Sequence, residues 1–196
     1  MFKFKSVLTK LGIACAIMVA APVALAQDIV VVDTSRVLRE SMAGQDLYQK
    51  VQQIGNTMQS ELSPEQQALQ TEKNSLASRL QGKTQQDIQA DTALVQQIQA
   101  YERKLQTNAV KADKRSRELA QTERNALNAF ADKMSAAVDT VRQRKNAKLV
   151  LAKSVVYLND ATYEITDEVI QQLNQDAPTI VVTRVNLPDA PQGTPQ

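Results

Sequence analysis

The chain has 196 residues, with 23 basic and 21 acidic side chains, no histidine, no tryptophan and a single cysteine, Cys15. Without histidine, and with one thiol, it lacks the usual general base, thiol nucleophile and zinc ligands, so no enzymatic role, cofactor or metal is expected. An aromatic content of 4% is too little bulky side chain for one large core in a chain of this length, which predicts a molecule that is elongated, oligomeric or both.

Residues 1–26 read as a secretory signal. Lys3, Lys5 and Lys10 supply a positive start, Leu11 to Ala21 an apolar core, and Ala24-Leu25-Ala26 a small-x-small site that predicts cleavage between Ala26 and Gln27. The apolar run is too short to span a bilayer, and Cys15 lies inside it. Cleavage leaves a chain without cysteine, exported yet free of disulfides, which fits a bacterial periplasm. It also removes three lysines, leaving 20 basic against 21 acidic residues. That balance, with few stacking aromatics, argues against nucleic acid as a partner. No Gly-rich phosphate loop follows any strand.

Ile29, Val30, Val31 and Val32 form a β-branched run that predicts a strand buried on both faces. Thr34 or Ser35 is expected to cap a short helix from Arg36 to Met42, with Val37 and Leu38 inward, and Gly44 to end it.

Residues 44–148 organise the rest. Apolar residues recur there at helical steps: Leu47, Val51, Ile54, Met58, Leu62, Leu69, Leu76 and Leu80, then Leu94, Ile98, Tyr101, Leu105, Ala112 and Leu119, then, after a one-residue slip, Leu127, Phe130, Met134, Ala137 and Val141. The stripe is narrow, near two apolar residues per heptad, as in a coiled-coil seam. Gln81-Gly82-Lys83-Thr84 interrupts it. Glycine commonly follows a helix end, and Thr84 can cap the next helix. A turn near 82–87 predicts an antiparallel hairpin in which Leu76 meets Leu94, Leu69 meets Tyr101, Met58 meets Ala112 and Val51 meets Leu119, with paired numbers adding to about 170. Leu69, Leu76, Leu94 and Tyr101 are the expected seam. The descending arm would span about 57 Å and the ascending arm about 90 Å, so the surplus must pack near the base. Ser63-Pro64-Glu65-Gln66 offers a capping box, which predicts a kink or break at Leu62 to Pro64.

The cluster Lys111, Lys114, Arg115 and Arg117 reads as a solvated helix face. Arg142, Arg144, Lys145, Lys148 and Lys153 fall mostly in the last helical turns, where cations suit the helix dipole. A weak contact of these residues with anionic membrane is a secondary expectation. Leu149, Val150 and Leu151 predict a second buried strand, and Val155 to Leu158, with Tyr157, a third. Thr166 is expected to cap a helix from Asp167 to Leu173. Thr179 to Val185 is strand-like without an evident partner, Pro188 to Gln196 is expected to be disordered, and 177–196 as a whole to be largely disordered. The fold class is thus α+β, mostly α: a long hairpin, 44–148, on a small β-rich body built from 27–43 and 149–176. So few short strands are marginal alone, which predicts that Ile29, Val30, Val31, Val32, Leu149, Val150, Leu151, Val155 and Tyr157 assemble several copies. Client-binding residues are not legible.

The ordered set of a signal, Ile29 to Asp33, a Gln/Lys/Glu-rich hairpin, Leu149 to Ala152, Val155 to Leu158 and the helix opened by Ile165-Thr166-Asp167-Glu168 resembles the Skp/OmpH family of periplasmic chaperones over about Asp28 to Gln175. The resemblance implies a homotrimer whose strands form one body and whose hairpins enclose a cavity. It implies an ATP-independent holdase for unfolded outer-membrane proteins. The competing reading is a structural coiled-coil spacer or adaptor of the cell envelope. A weaker one is a binding module for anionic lipid.

Overall fold

The computed structural model describes residues 28–189. The expected signal, its Ala26–Gln27 cleavage point and residues 190–196 lie outside the described residues.

Strand β1 (Ile29–Val32) pairs in parallel with β2 (Leu149–Ala152), with Ile29 opposite Leu149 and Val32 opposite Ala152. Parallel strands need a long crossover. Here the crossover is the whole helical hairpin. Between the strands run α1 (Thr34–Glu40), α2 (Met42–Leu80), α3 (Gln85–Ala90) and α4 (Thr92–Arg144), and α5 (Thr166–Asp176) follows β2.

The base of the hairpin is fixed by capping that differs in detail from expectation. Asp33, not Thr34 or Ser35, caps α1, its carboxylate accepting from the Arg36 amide at 2.9 Å. A charged acceptor also suits the positive end of the helix dipole. Ser41 then breaks the helix with extended backbone and caps α2 through the Gly44 amide at 3.1 Å. Gly44 therefore does not end α1 but lies in the first turn of α2. A Cβ there would sit 1.8 Å from the Leu38 carbonyl oxygen, so the α1–α2 corner closes only around glycine.

Helix α2 runs 39 residues without a break, with Pro64 inside it. The expected Ser63 cap does not form. Met58, Leu62, Leu69 and Leu76 are all buried, and this continuous packing on α4 outweighs the missing amide of one proline.

The tip is more elaborate than one turn. Gly82 takes a left-handed φ of 78° after α2. Thr84 and Asp87 form a reciprocal capping box that starts α3. Asp91 then ends α3 and caps α4 through the Leu94 amide at 3.0 Å. This inserted helix moves the register. Ion pairs join Glu72 to Lys104 (2.8 Å), Glu65 to Lys111 (2.9 Å) and Glu61 to Arg115 (3.1 Å), and each pair of numbers adds to 176 rather than about 170. The α4 partners thus lie about six residues, or about 9 Å, from those a simple turn predicts.

Helix α4, with 53 residues, outruns α2. Its lower half supplies Ala126, Phe130, Ala137 and Val141 to one core with Val30, Val32, Val37, Leu47, Ile165, Val169 and Leu173. The surplus of the ascending arm is thereby covered mainly by α5, within the core that α1 and β1 also share. The helix stops at Asn146, left-handed at φ 54°, with the Ala147 amide on the Arg142 carbonyl and the Asn146 amide on that of Gln143. This double closure lets β2 start at once.

Three expectations for the C-terminal part are corrected. Val155 to Leu158 is not a strand: Lys153–Val155 is a single 3-10 turn, and among the described residues β2 has β1 as its one neighbour in a two-stranded sheet. Thr166 does not cap α5. Its hydroxyl accepts from the Asp33 amide at 2.9 Å and donates to Glu164 at 3.0 Å, tying α5 to the β1–α1 joint. Finally, the tail is ordered through Asp189, without being a strand. Ile180 is buried in the core, and the chain beyond it lies along the hairpin.

Two substitutions test this geometry by chemical denaturation. Gly44→Ala is expected to destabilise the chain by about 2 kcal/mol or more, because the new methyl meets backbone that cannot yield. Pro64→Ala is expected to stabilise it by about 1–3 kcal/mol by restoring a helical hydrogen bond; a loss would mean that Pro64 opens a separate helix.

Candidate functional site

The first candidate surface is the open side of the body. Of the residues expected to join copies, Val30, Val31 and Val32 are already buried within one chain. Ile29 and Leu149, paired across the sheet, are exposed, and Val150 and Leu151 are half-buried. Beyond the 3-10 turn, Val155 is 75% exposed, Tyr157 97% and Leu158 84%. The strand β2 and this segment therefore bring together an unpaired edge and a run of uncovered apolar side chains. Both features favour contact with another polypeptide.

The second surface is the pair of arms. The seam residues Leu69, Leu76 and Leu94 are buried, and Tyr101 is half-buried. Leu105, which the stripe places with them, is exposed on α4, as is Val110.

The basic groups are not free. Lys145 pairs with Glu168 at 2.6 Å, Lys148 with Asp28 at 2.8 Å and Lys153 with Glu164 at 2.9 Å. Arg142 pairs with Asp139 and donates to the Ala147 carbonyl, and Arg144 donates to Gln172. Each of these groups thus has a partner in its own chain, while Lys148 remains 79% exposed. The Asp28 carboxylate holds the Lys148 ammonium above its ordinary range, and Lys153 holds the Glu164 carboxyl below its own.

In the cluster Lys111, Lys114, Arg115 and Arg117, Lys111 and Arg117 are exposed as a solvated face would have them, paired with Glu65 and Asp113. Lys114 and Arg115 instead turn to Glu118, which has no exposed surface. Arg115 reaches the Glu118 carboxylate at 2.7 Å, and the Leu187 amide donates to its other oxygen at 3.0 Å. Burial pushes this carboxyl up, but these partners outweigh it and hold it below the usual carboxylate range. Thr122, also buried, accepts from the Val185 amide at 2.9 Å and donates to the Glu118 carbonyl at 2.7 Å. Arg184 forks onto Glu61 at 2.6 and 2.9 Å, and this holds the Glu61 carboxyl low. Sequence reading missed this arrangement. The one signal was an acid amid four bases, opposite a tail of unknown course.

Among the described residues, no helix is long and apolar enough to cross a membrane. No group of three or more histidine, cysteine or acidic residues there could hold a metal.

The family model described as "Outer membrane protein (OmpH-like)" matches residues 28–173. Among solved structures, the fold is similar to that of a "putative outer membrane chaperone (OmpH-like)" from Caulobacter crescentus, with a TM-score of 0.71 and 23% identity over 82% of this chain and 91% of that one. The curated proteins give no significant match. The matched region runs from the first strand into the last helix, and the chain belongs to the OmpH-like outer membrane protein family.

Proposed function

We propose that the chain is an ATP-independent holdase chaperone of the periplasm, which keeps unfolded outer-membrane proteins from aggregating in a space between the arms of a homotrimer. One observation carries this reading: the exposed Val155, Tyr157 and Leu158 follow a strand whose outer edge has no partner among the described residues, at the root of a long hairpin. Copies joined at that root bring their arms side by side, about 58 Å long along α2 and about 80 Å along α4. Joining would also cover Ile29 and Leu149 and extend a sheet too small to be stable alone. The number three comes from the family resemblance. The signal-like residues 1–26 support export.

Holding needs many weak contacts rather than a reactive centre, because shielding exposed apolar segments is enough to slow aggregation. A polar arm with isolated apolar residues such as Leu105 and Val110 suits that task. A coiled-coil spacer or adaptor would share this architecture, and only activity separates the two.

Tyr157→Asp is expected to weaken self-association at least ten-fold, read by sedimentation, while far-UV dichroism keeps its helical signal. An unchanged trimer mass would remove this edge from the interface. Substoichiometric wild-type trimer is expected to slow precipitation of an unfolded outer-membrane barrel several-fold by light scattering. Precipitation as fast as in buffer would leave the spacer reading in its place.

A further inference from the structure

Beyond its joint with α5, the tail behaves as an extended peptide lying in the groove between α2 and α4. Its side chains alternate: Ile180, Val182 and Arg184 are covered, whereas Val181 and Thr183 are exposed. The Ile180 amide donates to Asp46 at 2.8 Å, and Lys50 donates to the Ile180 carbonyl at 2.8 Å. Val182 and Arg184 then line a hollow with Lys50, Gln53, Ile54 and Thr57. The Val185 and Leu187 amides follow on Thr122 and Glu118, and Asp189 ends the run on Lys114 at 2.5 Å.

The spacing on α4 explains the fit. Thr122, Glu118 and Lys114 are successive residues one turn apart, rising about 6 Å per step. Val185, Leu187 and Asp189 are alternate residues of an extended chain, rising about 6.6 Å per step. Two backbones of different period thus stay in phase over this run. Pro188, which has no amide, falls at an alternate position, where no donor to α4 is needed. Glu118 and Thr122 are buried polar residues whose acceptors meet main-chain amides, and amides are common to any sequence. The selective contacts are an apolar residue at the Ile180 and Val182 positions and a basic one at Arg184.

We propose that this α2–α4 groove is a binding site for extended polypeptide with that pattern, apolar residues followed by a basic one, and that residues 178–189 are its resident, displaceable occupant. The occupant is tethered to α5, so its high effective concentration keeps the groove filled against free peptide. A competing segment must match the pattern and displace it. The proposal concerns the groove alone and stands whether or not the chain acts as a holdase.

The test uses the full-length chain and a fluorescent synthetic peptide spanning residues 178–189. In the chain, Arg184→Glu with Leu187→Pro reverses the charge facing Glu61 and removes the amide facing Glu118, which should vacate the groove. Far-UV dichroism checks that the helices persist. The peptide is expected to bind this variant at least ten-fold more tightly than the wild-type chain by anisotropy. Equal binding to both chains, or binding to neither, overturns the proposal. A peptide carrying Arg184→Glu is expected to lose at least ten-fold in affinity for the vacated chain. Binding that survives that change would mean a non-specific apolar contact, and would overturn it as well.

Discussion

The parallel pairing of β1 with β2 is the constraint from which the rest follows. Two four-residue strands that flank the helical hairpin in sequence lie side by side in one direction. The chain between them must leave the body and return to its starting end. It does so as α2 outward and α4 inward, and the return must be longer because α1 and the α1–α2 corner occupy the root. The added length of α4 is then available to the core through Phe130, Ala137 and Val141. The arm and the body are therefore not separate units: one helix is seam at its upper end and core at its lower end.

Stability and register have different sources along that helix. Burial of Leu69, Leu76 and Leu94 supplies most of the attraction, at about 1.5–3 kcal/mol for each fully buried leucine side chain. Exposed ion pairs such as Glu72–Lys104 and Glu65–Lys111 add about 1 kcal/mol or less each. Their role is to choose among alignments that a repetitive apolar stripe leaves nearly equal. Glu118 and Thr122 act differently. They are buried and polar, so they are satisfied only if the tail presents its amides at the right positions. The seam makes a hairpin, the ion pairs fix its alignment, and the polar residues bind a third strand of chain to it.

The same economy leaves the body open on one side. The core of a single chain uses the inner faces of β1 and α5 but leaves β2 with one strand neighbour and the segment after it uncovered. An aliphatic and aromatic run at the foot of two long helices suits joining of copies more than storage of a small ligand.

Much of the plan was legible in the sequence, because it depends on local chemistry. Periodicity gave the two long helices, Gly82 and Thr84 marked the fold-back, and the β-branched runs marked both strands. Thr179 to Val185 read as strand-like, though without showing what it would lie against. What failed had a common cause. The register, the exposure of Leu105, the continuity of α2 through Pro64, the loss of the third strand and the docking of the tail all depend on which partner is in reach. By itself the sequence determined the two long helices, the last helix, the two paired strands and the place of the fold-back, since those follow from side-chain period, capping and glycine. Only the tertiary structure decided which segments meet and in what alignment, because small differences in packing and in the satisfaction of buried polar groups select one arrangement among several of nearly equal local quality.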